Sequence, residues 1–93
     1  MPTASPSSHS SIDFSTFILS LASSAMMHMG LVPDPDGSPP EVNLEMARQT
    51  IDMLVMLRQK TNGNLNQDEA TLLERVLHDV RMAYIEIAKK LAS

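Results

Sequence analysis

The sequence contains no cysteine and no tryptophan, and it has only three glycines. Without cysteine, no disulfide can cross-link the chain and no thiolate can bind a metal ion. None of the three glycines belongs to a glycine-rich loop of the kind that holds phosphate groups. We therefore expect no disulfide, no catalytic residues, no cofactor and no metal, and the absence of cysteine fits a cytoplasmic protein.

Basic residues are also scarce. Lys and Arg total 7 against 11 Asp and Glu, the formal net charge is -4, and no Lys or Arg precedes Arg48. Nucleic acid is bound by a basic face that neutralises phosphates, so nucleic acid is not an expected partner. The missing N-terminal basic residues also argue against a secretory signal or a transit peptide.

The length of 93 residues predicts one small domain of marginal stability. Residues 1–11 are rich in serine and proline and carry no charge, which predicts a disordered tail. Residues 12–93 are expected to form a single three-helix domain. Small cores without cross-links often gain stability by association.

Apolar residues recur at three- and four-residue spacing over residues 14–29 and predict a first helix. Asp13 or Ser11 is a suitable N-cap, because the side-chain oxygen can accept from backbone amides of the first turn. Gly30 stands where a left-handed residue commonly ends a helix.

A second helix is predicted over residues 43–60, with Asn43 as its N-cap. An earlier start near Pro39 is an alternative, because Ser38 and Glu41 have capping-box spacing. The apolar arc of this helix covers more than half of its circumference, which is wider than one buried stripe needs.

A third helix is predicted over residues 67–91, where apolar residues keep a coiled-coil-like spacing. Asn66 and Glu69 have the spacing of a capping box, and Asn62–Gly63 supplies turn residues that can end the second helix. Such a short connection predicts that the second and third helices are antiparallel neighbours.

The first helix has no charged face, and the second has apolar residues beyond its main stripe. One three-helix unit is not expected to bury all of these side chains, and exposed apolar patches are typical of interaction sites. We therefore predict a homo-oligomer with a subunit interface. Its candidate residues are Leu19, Met26, Met27, Met46, Met53 and Leu57.

Three other features suggest chemistry or binding. The run Met26–Met29 holds thioethers and an imidazole, which are ligands for Cu(I). Consecutive helical residues, however, diverge by about 100° around the helix axis, which favours ordinary packing of these side chains over a shared metal ion.

Lys60 and Asn64 are candidates for a polar recognition loop, although turn formation also explains this segment. Residues 14–32 carry no charge over nearly a membrane-spanning length, yet the interrupting serines favour a helix buried in protein over one associated with a membrane.

Three segments together resemble a family of short bacterial proteins known only as a domain of unknown function. They are Phe14-x-x-Phe17-Ile18-x-x-Leu21, Ala47-x-x-x-Ile51-Asp52-x-Leu54-x-Met56-Leu57 and Lys60-Thr61-x-Gly63-Asn64-Leu65-x-x-x-Glu69. The resemblance implies a bacterial source and a helical fold. It implies no activity, cofactor or catalytic residue.

The sequence thus predicts an all-α fold whose second and third helices form an antiparallel hairpin. The expected function is that of a non-enzymatic, self-associating protein-interaction module, whose partners are a second copy of the chain or another protein. One alternative is a small-ligand-binding or enzyme-accessory subunit with a pocket between subunits. A further alternative is membrane association through the first helix.

Overall fold

The computed structural model describes residues 13–33, 35–37 and 41–92. Within these ranges the chain forms three helices and no strand. The helices are α1 (Phe14–His28), α2 (Leu44–Lys60) and α3 (Gln67–Ala92). The predicted all-α, three-helix fold is confirmed, whereas the expected disordered tail of residues 1–11 lies outside the described residues.

Local side-chain chemistry sets both ends of α1. The Asp13 carboxylate accepts a hydrogen bond of 2.7 Å from the Thr16 backbone amide, so Asp13 rather than Ser11 is the N-cap. At the other end Gly30 has a φ of 73°, and the Leu31 amide donates to the Met26 carbonyl at 3.0 Å. This geometry is a Schellman motif, which satisfies carbonyls left free by the end of a helix.

The start of α2 follows the cap at Asn43. The Asn43 side-chain oxygen accepts from the Met46 amide at 3.0 Å. Because that bond satisfies an amide of the first turn, the helix begins at Leu44 and not near Pro39.

The connection between α2 and α3 also uses the predicted residues. Gly63 has a φ of 88°, in the left-handed region that disfavours a Cβ atom. Asn66 and Glu69 form both hydrogen bonds of a capping box at the start of α3. This tight turn brings α3 back along α2.

The end of α1 is joined to the start of α2. The Asn43 amide donates to the His28 carbonyl at 2.6 Å, and Met29 and Val42 form an isolated antiparallel bridge. A Cβ atom on Gly30 would lie 2.9 Å from Cγ2 of Val42, so a glycine is needed for this close approach. The bridge brings the end of α1 beside the first turn of α2.

Each helix packs against the other two around one apolar core. Helices α2 and α3 form an antiparallel hairpin, and near the turn Arg58 of α2 pairs with Glu74 of α3 at 3.2 Å. The only buried polar side chain among the described residues is Thr50, whose hydroxyl donates to the Met46 carbonyl at 3.1 Å. The buried apolar residues are Ile18, Ala25, Met29, Ala47, Ile51, Leu54, Leu73, Val76, Leu77 and Val80.

Candidate interaction surfaces

The six predicted interface residues differ in their exposure. Leu19, Met46 and Met53 are 50%, 40% and 46% exposed. Met26 and Leu57 are half-buried and pack against the core. Three residues of the predicted set therefore present substantial apolar surface to solvent within this subunit.

The sixth residue, Met27, lies beside Met46. Both line an open cleft of about 420 Å³ between the end of α1 and the start of α2, together with His28, Glu41 and Asn43. The hydrogen bond from Asn43 to His28 joins the two walls of this cleft. The fold thus brings together two candidate residues that lie far apart in the sequence.

The methionine–histidine run does not act as one group. Met29 is buried, Met26 packs against the core, and only Met27 and His28 line the cleft with Met46. Among the described residues, no group of three or more His, Asp or Glu side chains is placed so that it could hold a metal ion.

Some exposed apolar side chains were not among the predicted interface residues. Phe17, one of the apolar residues of the first helix, is 42% exposed. Phe17 is one residue before the buried Ile18 and hence about 100° away from it around the helix axis. On α2, Met56 is also exposed, three residues beyond Met53 and therefore on a nearby part of the same surface.

A second cleft, which the sequence analysis did not predict, lies between α2 and α3. It has a volume of about 390 Å³ and is open to solvent. Ile51, Tyr84 and Ile85 give it an apolar lining, and Arg48 from α2 and Arg81 from α3 also line it. One sequence feature could have indicated this cleft, namely Ile85, an apolar residue on the otherwise polar side of the third helix.

Acidic side chains lie next to this cleft but not in it. An adjoining cleft of about 580 Å³ is lined by Glu45, Gln49 and Asp52, and it shares Arg48 and Tyr84 with the first. Among the described residues, neither of these carboxylates forms an ion pair with Arg48.

The candidate recognition loop is exposed. Lys60 is the last residue of α2, and its side chain is in solvent. The Asn64 amide donates to the Thr61 carbonyl at 2.8 Å, so its backbone helps to close the turn. The Asn64 side chain is also exposed, and a recognition role for this pair stays a prediction.

The uncharged first helix is too short to cross a bilayer. Among residues 13–33, 35–37 and 41–92, no helix combines the length and the apolar character that a membrane span requires.

The comparisons with known proteins identify a family. A search of the curated proteins finds no match, and a search of the solved structures also finds none. A family match covers residues 11–86, which is most of the chain and includes all of α1 and α2 and most of α3. The chain therefore belongs to the family described as Domain of unknown function (DUF1844).

Proposed function

We propose that this protein is a non-enzymatic interaction module of the bacterial cytoplasm that self-associates through apolar surface on α1 and α2. The observation that carries the proposal is the exposure of Leu19, Met46 and Met53, each at least 40% accessible. Isolated exposed apolar side chains are common on protein surfaces, but these three residues belong to two helices that pack on each other.

The spacing on α2 supports a continuous apolar face. Met46 and Met53 are seven residues apart, and Leu57 follows four residues later, so the three side chains lie along one side of the helix. Met27 on α1 extends this side through the cleft that it shares with Met46. Methionine side chains are flexible and polarizable, and they adapt readily to the surface of a partner.

Burial of this surface supplies a driving force for association. Fully burying one large apolar side chain contributes about 1.5–3 kcal/mol, and these residues are only partly buried in the monomer. A whole small domain is stable by only about 5–15 kcal/mol. Because Leu19, Met46 and Met53 are 40–50% exposed, covering each contributes roughly half of that figure, or about 2–4.5 kcal/mol per subunit for the three together.

The charge distribution favours a second copy as the occupant. Helix α1 contains no Asp, Glu, Lys or Arg, so pairing two copies across it requires no desolvation of a charged group on that helix. A two-fold dimer is the simplest assembly, because the same patch on both subunits then covers itself.

Light scattering after gel filtration tests this proposal. Wild-type protein should elute with a mass well above the 10.2 kDa of one chain across micromolar concentrations. Met53→Glu and Leu19→Lys should shift the mass toward the monomer and lower the melting temperature, because each places a charge in the interface. Gln59→Glu introduces the same charge at an exposed polar position of α2 and should leave the assembly intact.

Self-association would be contradicted if the wild type has a monomeric mass at all of these concentrations while it remains fully helical and stable. Equal dissociation by Gln59→Glu and Met53→Glu would show that the charge, and not its position, matters.

A further inference from the structure

The cleft between α2 and α3 combines an apolar lining with two arginines from different helices. Ile51 and Tyr84 belong to or border the core, whereas Ile85 is 45% exposed. Arg48 and Arg81 are both exposed. Such a surface offers an apolar contact and positive charge within one small area.

Neither arginine has a partner in the described residues. The ion pair between α2 and α3 uses Arg58 and Glu74, and Arg48 and Arg81 form no hydrogen bond or ion pair there. A guanidinium offers five N–H donors in a planar arrangement that matches a carboxylate. Two guanidinium groups beside one apolar cleft are therefore available to bind carboxylates.

We propose that this cleft binds an acidic amphipathic helix of another protein. An apolar side chain of that helix packs on Ile85 and Tyr84, and Asp or Glu side chains flanking it pair with Arg48 and Arg81. Helices that dock in this way present apolar residues at three- and four-residue spacing, which leaves flanking positions for the carboxylates.

The shape of the cleft favours a protein segment over a small molecule. Small-ligand sites bury most of the ligand in a concave pocket. This cleft lies open along the groove between two long helices, and its walls are formed by single turns of α2 and α3. A partner helix that lies across this open cleft can cover Ile85 without being enclosed by the protein.

The cleft is separate from the surface proposed for self-association. Arg48 follows Met46 by two residues, so the two side chains lie about 160° apart around the axis of α2. A second copy docked on Met46 and Met53 consequently leaves Arg48 accessible. This separation means that the cleft can bind another protein while the subunits remain associated.

The test measures binding of a synthetic peptide by fluorescence anisotropy. The probe is a labelled helical peptide with leucines at three- and four-residue spacing and glutamates on both flanks. The control peptide has glutamine at every glutamate position. Because the protein carries a net charge of -4, tighter binding of the acidic peptide near physiological ionic strength would reflect the local arginines and not the overall charge.

The combined substitutions Arg48→Gln and Arg81→Gln should weaken binding of the acidic peptide about tenfold, the factor expected for losing two partly exposed ion pairs. Arg75→Gln removes an exposed arginine of α3 that lines neither cleft with Arg48, and it should leave binding unchanged. Ile85→Ser should weaken binding of both peptides, because it removes the apolar contact.

Three results would overturn the proposal. The first is equal affinity for the acidic and the glutamine peptides, and the second is unchanged binding by the Arg48→Gln, Arg81→Gln protein. The third is loss of self-association by that double variant in light scattering, which would assign the cleft to a second copy. Circular dichroism of the variants separates these results from misfolding.

Discussion

Asn66 and Glu69 exchange two hydrogen bonds across the first turn of α3. The Glu69 amide donates to Oδ1 of Asn66 at 2.8 Å, and the Asn66 amide donates to Oε1 of Glu69 at 3.0 Å. Each side chain thus satisfies a backbone amide of the other residue. The pair fixes where the turn ends and the longest helix begins.

This capping box gives the first prediction. Asn66→Ala removes the acceptor for the Glu69 amide and should lower the free energy of unfolding by about 0.5–2 kcal/mol. Glu69→Gln keeps a side-chain oxygen that can accept from Asn66 and should cost less. Urea denaturation followed by circular dichroism measures both. A larger loss for Glu69→Gln than for Asn66→Ala would show that the charge of Glu69 matters more than its cap geometry.

The second prediction concerns Gly63. Its φ of 88° disfavours any residue with a Cβ, but no atom lies within 4 Å of the place where that Cβ would stand. Gly63→Ala should therefore cost about 1 kcal/mol from backbone conformation alone. Gly37→Ala is a matched comparison, because Gly37 also has a positive φ and open space around it. A melting temperature equal to wild type for Gly63→Ala would contradict this conformation of the turn.

The third prediction concerns Gly30, where conformation and contact act together. A Cβ at this residue would meet Cγ2 of Val42 at 2.9 Å in addition to the strain of a positive φ. Gly30→Ala should accordingly destabilise the protein more than Gly63→Ala does. Val42→Ala in the same chain should restore part of the loss, because it removes the atom that clashes.

A double-mutant cycle measures this coupling between Gly30 and Val42. Strictly additive effects of the two substitutions would show that Val42 moves away without cost. The pair Gly63→Ala and Val42→Ala serves as the control and should be additive, since nothing at Gly63 contacts Val42.

The fourth prediction is a pH dependence at the start of α1. Hydrogen bonds from Thr16 lower the pKa of the Asp13 carboxyl below its ordinary value of 3.8. A lowered folded-state pKa means that the ionised cap stabilises the helix above pH 3.8, and this contribution is lost as the pH falls through the folded-state pKa. Asp13→Asn retains a capping oxygen but does not titrate.

The difference in melting temperature between wild type and Asp13→Asn should thus shrink on acidification below pH 3.8. All other carboxylates are common to the two proteins, so their titration cancels in the comparison. NMR titration of the Asp13 carboxyl gives the pKa directly. A difference that stays constant with pH would show that ionisation of Asp13 contributes nothing to the cap.

The sequence predicted the helix ends well, because the groups that determine them are close neighbours in the chain. Asn43, Asn66, Gly30 and Gly63 each act on backbone atoms within a few residues. The pattern of apolar residues likewise gave three helices and the antiparallel hairpin.

The details of the surfaces could not be predicted in this way. The meeting of Arg48 with Arg81 depends on the rotation of α2 relative to α3, and apolar spacing defines that rotation only within a broad arc. The wide apolar arc of α2 is also partly explained within one subunit. Helices α1 and α3 both pack on α2, so Leu57 is half-buried against the core. Less of the apolar surface of α2 is therefore left for a partner.

The segment between α1 and α2 should tolerate insertions because of two contacts, the hydrogen bond from Asn43 to His28 and the Met29–Val42 bridge. They bring together the two ends of the segment between α1 and α2, so the length of that segment need not determine how the helices meet. Adding residues to a connecting segment costs little closure entropy, about 0.6 kcal/mol for each doubling of its length. A short epitope inserted between Pro35 and Gly37, which are both exposed, would hence leave the bundle intact and provide a handle for capturing partners.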